Sequence, residues 1–90
     1  MAFPIRMISE YADCIEENID TSEKVFEFEE WMNLVAILSK VDCYVKFNEP
    51  TNKPFIHLAN VAYNWFFPIK KLYVQAVRDS GKFYAWGEKI

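Results

Sequence analysis

The sequence predicts a mostly β protein: a small antiparallel β-sandwich or barrel of six to seven short strands, preceded by an N-terminal arm or short helix. Three observations lead there. Val25-Phe26-Glu27-Phe28-Glu29 alternates apolar and acidic residues, the period of a strand with one buried face. Further runs rich in β-branched and aromatic residues follow at roughly 8–12-residue spacing, the rhythm of a sandwich or barrel. Residues 48–54 form a clear loop, with two prolines and two asparagines.

Taken in order, residues 1–24 carry Met7, Ile8, Tyr11, Ala12, Ile15 and Ile19 near helical spacing, with acids between them. That pattern supports a short amphipathic helix, or an arm that orders on a neighbour. Residues 25–90 form the single β domain. After the 25–29 alternation, residues 30–33 interrupt it. Leu34-Val35-Ala36-Ile37-Leu38 is then a continuous apolar run, the length of a strand buried on both faces. Phe28, Trp31, Val35 and Leu38 also sit near helical spacing, so a helix over residues 27–39 is the rival. Residues 39–42 form a turn, and Cys43-Tyr44-Val45-Lys46-Phe47 is a strand by composition.

Past the proline loop, Phe55-Ile56-His57-Leu58 is a short strand, and residues 59–64 give a loop. Trp65-Phe66-Phe67 is extended, and Pro68 fits only an edge position or strand start. Residues 69–77 form a long strand. Residues 82–86 pair with it in a hairpin across Arg78-Asp79-Ser80-Gly81, with Gly81 supplying a positive φ. Only two glycines, Gly81 and Gly87, are available for all the turns.

Ninety residues, 52% apolar and 18% aromatic, hold more apolar material than a small monomer hides easily. Burial against another subunit is the expectation. Charge is unevenly spread. Residues 10–30 hold nine acids and one base, and residues 40–90 hold eight bases and four acids. Such a split attracts copies end to end. No basic cluster reaches the density that specific nucleic-acid binding needs. No apolar run has the ~20 residues that span a bilayer, and the start has no secretory pattern.

Chemistry is sparse. His57 is the only histidine, so neither a triad nor a two-histidine metal site assembles in one chain. A hydrogen-bonded structural role suits it better. Cys14 and Cys43 have no metal spacing and no thiolate-stabilising surroundings. They are read as reduced thiols, with pairing between them left open. The acids form no carboxylate pair in an apolar pocket pattern, and no glycine-rich phosphate loop exists. No catalytic, metal or cofactor residues are assigned, and the chain is expected not to be an enzyme. Tyr73, Phe83, Tyr84 and Trp86, with Lys70, Lys71, Arg78 and Lys82 nearby, offer a base-stacking platform, but ordinary packing explains them better. The strand period puts Leu72, Val74 and Ala76 on one face and Tyr73, Gln75 and Val77 on the other. One face lines the core. The other, with Tyr73 and either Tyr84 and Trp86 or Phe83, is expected to meet another subunit, together with Trp65 and Phe66.

The C-terminal half carries a recognisable order of elements. Residues 41–48 (VDCYVKFN) form a strand ending in Asn, a proline loop follows, then Ile56-His57-Leu58, then residues 67–74 (FPIKKLYV) and the closing RDSGKFYAWG. Over residues 34–88 this resembles the small β-sandwich subunits of tailed-bacteriophage particles, such as head-decoration, neck and tail proteins. The acidic segment over residues 10–30 has no counterpart in them. The resemblance implies a virion structural protein, assembled in the host cytoplasm, that acts through self-association and contacts with other particle proteins. It implies no membrane, specific nucleic acid, cofactor or small-molecule substrate. The alternative is a small acidic phage-type inhibitor whose acidic segment binds a host enzyme or defence complex.

Overall fold

The computed structural model describes residues 12–89. Among them are six strands and no helix: β1 (Ala12–Ile19), β2 (Lys24–Ser39), β3 (Cys43–Phe47), β4 (Phe55–His57), β5 (Tyr63–Ala76) and β6 (Gly81–Lys89). They form one antiparallel sheet in the order β1-β6-β2-β5-β3-β4. The protein is therefore mostly β and antiparallel, as the alternation predicts.

Several expectations change. Residues 1–11 lie outside the described residues, but Ala12–Ile19 is an edge strand paired along its length with β6, not a helix. The reason is visible in the spacing. Ile15 and Ile19 are four apart, which suits a helix turn, but four is also even, so they share a strand face. An open ladder on β6 then decides the matter.

The interruption at residues 30–33 and the rival helix both give way to one 16-residue strand. The cost of continuity is a bulge. Glu27 pairs with Lys71 and Met32 with Ile69, so five steps along β2 face two along β5. Bulges bend a strand and increase its twist. Here the displaced carbonyls of Phe28 and Glu29 are taken up by the Lys70 ammonium, at 2.6 and 2.7 Å. A second irregularity at Val35 lets both Ala36 and Ile37 be buried.

The closing hairpin does not form. β5 and β6 are consecutive in the chain, but β2 lies between them in the sheet. The sheet curls instead. In a flat sheet β1 and β5, three places apart, would be separated by about 14 Å at ~4.8 Å per strand. Yet the Ala76 amide donates to the Asp20 carbonyl at 2.7 Å, and the Gln75 side chain donates to the Thr21 carbonyl at 2.7 Å. Curling brings the end of β5 beside the β1–β2 turn, and a short connection then reaches β6.

Glycine scarcity is resolved by asparagine. Gly81 does not have positive φ; Asn48 and Asn60 do, at 67° and 61°. Asparagine tolerates this left-handed region better than other side-chain-bearing residues. Gly81 matters for space, because a Cβ there would lie 3.0 Å from Val41 Cγ1.

The concave face holds the core, including Ile19, Phe28, Leu34, Leu72, Val74 and Phe83. Pro68 sits inside β5, yet keeps its expected edge character. A residue's N–H and C=O point to the same side of a strand. The Pro68 carbonyl accepts from Asn48 Nδ2, on the side where β3 pairs only from Leu72 onward. No ladder bond is lost to the missing N–H.

Candidate interaction surfaces

The β3–β4 end of the sheet is the more apolar surface. β4 is a short edge strand whose only ladder partner among the described residues is β3. Tyr44 and Ile56 are cross-strand partners and both are exposed, Ile56 to 55%. Leu58, Val61 and Tyr63 follow in and after the next loop, also exposed. These five make up most of the eight exposed large apolar side chains among the described residues. Single exposed apolar residues are ordinary; a concentration of them at a sheet edge marks a contact surface.

The patch rests on a rigid base. His57 is fully buried between these side chains and the core. Its Nε2 lies 2.7 Å from the Val61 carbonyl, and its ring meets Tyr63 edge to face at 4.9 Å. This is the structural role expected of the lone histidine. Burial pushes its pKa below the usual 6.5, and its Nδ1 has no partner. The Asp42 carboxylate accepts from the Ala59 amide at 2.8 Å, and the Asn60 amide donates to the Ser39 carbonyl at 2.7 Å. The loop is thereby pinned to the β2–β3 turn. Beneath β4 lies an aromatic cluster of Phe47, Phe55, Trp65 and Phe67, with centroid separations of 5.1 to 5.2 Å.

A second surface lies at the opposite edge. Among the described residues β1 pairs only with β6, and the Lys24–Glu27 part of β2 pairs only with β5. Between these strands is an open groove of roughly 390 Å³, with Ile15, Val25 and Phe26 as its apolar part and Glu16, Glu17 and Glu27 as its acidic part. Glu16 pairs with Lys82 at 3.6 Å, both exposed, and Glu27 with the half-buried Lys70 at 3.5 Å. Such pairs contribute little and leave the groove negative. Cys14 also faces this groove. Both cysteines are free, and burial raises both thiols, Cys43 inside the core and Cys14 at the sheet edge, where Glu16 adds to the rise. Neither is set up as a nucleophile.

The aromatic residues expected at an interface are not gathered in one place. Phe83 is fully buried, its ring stacked on Phe26 at 5.8 Å, so it is a core residue rather than a surface one. Tyr84 and Trp86 lie half-buried on the outer face of β6, rings parallel at 5.9 Å. Tyr73 is half-buried on β5, opposite Val25 and Lys46. With β2 between β5 and β6, Tyr73 and the Tyr84–Trp86 pair do not form a joint hairpin face, and the four-aromatic stacking platform is not assembled. Trp65 is half-buried in the Phe47 cluster, its indole nitrogen enclosed without a partner. Phe66 lies in β5; its side chain is outside the described residues. The β4 patch and the β1–β2 groove, which the structure brings forward, had faint signals in sequence: Ile56 and Leu58 in a short strand, and the acidic run.

Among the described residues no three of His, Cys, Asp and Glu converge as metal ligands. No protein-family model, curated protein or solved structure matches this chain.

Proposed function

We propose that this chain is an architectural subunit of a tailed-bacteriophage particle, of the head-decoration, neck or tail kind, acting through contacts with its own copies and with other particle proteins. The observation that carries the reading is the apolar β4 edge: exposed Tyr44, Ile56, Leu58, Val61 and Tyr63 on a hydrogen-bonded base. A sheet edge with apolar side chains is a template for partner chains, and closed symmetry limits such pairing to a defined assembly. The resemblance in the sequence of residues 34–88 points to the virion setting, although the closing hairpin it included does not form.

The test is light scattering after size-exclusion chromatography, paired with incubation of the protein with particles lacking it. Concentration-dependent association or incorporation into particles is expected. A monodisperse monomer that also fails to join particles would sink the proposal.

The acidic groove favours a second reading, an inhibitor that captures a basic surface of a host enzyme or defence complex. Changing Glu16, Glu17, Glu27 and Glu29 to Lys is expected to abolish such capture, and salt to weaken it. Capture that survives high salt argues against this reading.

A further inference from the structure

The β1–β2 groove is bordered by unpaired strand edges. Among the described residues β1 has a ladder partner only in β6, and the Lys24–Glu27 part of β2 only in β5. Ile15 and Phe26 are half-buried in the groove and pack against the core, Phe26 stacked on Phe83 at 5.8 Å. Glu16, Glu17 and Glu27 give the groove its charge. Glu16 and Glu27 meet lysines, at 3.6 and 3.5 Å, while Glu17 is exposed and in no ion pair among the described residues. Eleven residues precede Ala12, where β1 begins. Residues 1–8 (MAFPIRMI) hold six apolar side chains, with Pro4 and Arg6. Arg6 is the only base before Lys24, and no acid precedes Glu10.

We infer that residues 1–8 fold back as a further strand on the free edge of β1 and occupy this groove. Tether, length, apolar pattern and charge converge on this segment as the occupant. It is joined to Ala12, so it meets the groove at the high effective concentration of a short linkage. It matches the eight residues of β1, and residues 9–11 are left as a three-residue loop, a common hairpin connection. Loop length fixes the register. Ile5 falls opposite Ile15, Phe3 opposite Glu17 and Arg6 opposite Cys14. Opposite residues share a face, so Phe3, Ile5 and Met7 turn to the side of Ile15 and Phe26. Arg6 stands on the face of Cys14 and Glu16, where its guanidinium meets the groove carboxylates. Pro4 has no N–H to donate, which suits a strand paired on one side only. The contact lies within one chain and does not depend on self-association. It covers the acidic face that the inhibitor reading uses, so a basic partner would have to displace residues 1–8.

Two measurements test it. The first is a disulfide. Cross-strand Cα atoms lie about 4.5–5.5 Å apart, inside the range a disulfide spans. Cys14 is exposed and Cys43 buried, so Cys14 is the thiol that oxidation reaches. Arg6→Cys is expected to bond to Cys14 within one chain in dilute solution. Ile5→Cys, one position out of register, is expected to do so about tenfold less, the ratio that 1.4 kcal/mol of register preference represents. Equal yields from the two overturn the inference. A disulfide that forms only between chains overturns it in favour of an arm exchanged with a neighbour. The second measurement is amide exchange. Deleting residues 2–8 is expected to speed exchange of the β1 amides that point away from β6 by about tenfold, with β6 itself unchanged. Arg6→Glu keeps the full length and is expected to show part of that gain, shrinking as salt rises. Circular dichroism checks folding, and Arg6→Glu decides if the deletion unfolds. Unchanged β1 exchange in the folded variants overturns the inference. None of these readouts reports association, so a failure here leaves the architectural proposal to its own test.

Discussion

Asn48 and Pro68 are joined by a hydrogen bond of 3.1 Å from the Asn48 amide to the Pro68 carbonyl, which fastens the end of β3 to the middle of β5. The same side chain's Oδ1 accepts from the Lys70 amide at 2.8 Å and from the Lys71 amide at 3.3 Å, and the Asn48 backbone N–H donates to the Lys71 carbonyl at 2.8 Å. Asn48 holds a φ of 67° while doing so. One residue thus turns the chain, and covers the stretch of β5 that β3 does not reach.

Replacing Asn48 by Ala removes the side-chain bonds and leaves a Cβ-bearing residue at positive φ. The expected cost is about 2–3 kcal/mol in urea unfolding, from lost hydrogen bonds of ~1 kcal/mol each plus the left-handed backbone. Asn48→Gly relieves the backbone part only, and is expected to lie between wild type and Ala. Equal stability of all three would show that the clamp contributes nothing.

Lys70 holds the β2 bulge through the Phe28 and Glu29 carbonyls. Lys70→Met keeps the apolar stem and deletes the ammonium. A loss of about 1.5–3 kcal/mol is expected, the range for hydrogen bonds to a charged group. Amide exchange near residues 28–31 is expected to accelerate more than in β6. Uniform exchange across the sheet would place the bulge's support elsewhere.

Gly87 lies under that same bulge. A Cβ there would come within 3.0 Å of Met32 Cβ and 3.1 Å of the Phe28 ring. Gly87→Ala is expected to cost about 1–3 kcal/mol as overpacking. Adding Phe28→Leu should give back part of that loss, because it removes the ring atom that the new Cβ would meet at 3.1 Å. A double variant that is simply the sum of the two losses would contradict this steric account.

His57 makes stability depend on pH. Burial lowers its pKa below 6.5, with the Val61 carbonyl opposing in part. The native state therefore binds fewer protons than the unfolded chain over that interval. The stability contribution is whole above pH 6.5 and is lost as pH falls from there toward the native value. Urea unfolding between pH 7.5 and 5 is expected to show that decline, and His57→Gln to flatten it. Identical slopes for the two proteins would remove His57 from the explanation.

Phe83 and Trp86, two strand positions that looked alike, now separate. Phe83→Ala opens the core and is expected to cost about 3–5 kcal/mol. Trp86→Ala removes a half-buried ring stacked on Tyr84, where the pair itself is worth about 0.5–1.5 kcal/mol beyond buried area. Chemical unfolding of both variants checks the ordering.

Local patterns in the sequence were enough for the mostly β class, for Cys43–Phe47 as a strand, for the loop over residues 48–54, and for which side of residues 72–76 faces inward. Each of these depends on period-two alternation or on turn chemistry, which act over a few residues. The lone histidine's structural role was legible for the same reason. Neighbour order was not. That β2 separates β5 from β6, that residues 28–31 bulge instead of ending a strand, and that Ala12–Ile19 lies along β6 all depend on pairing between distant segments. The same curl decided the surfaces: it buried Phe83, parted Tyr73 from Tyr84 and Trp86, and left Ile56 and Val25 exposed at opposite edges. A strand's sequence specifies which side chains share a face; only the hydrogen-bond ladder of the whole sheet decides which strand lies next to it.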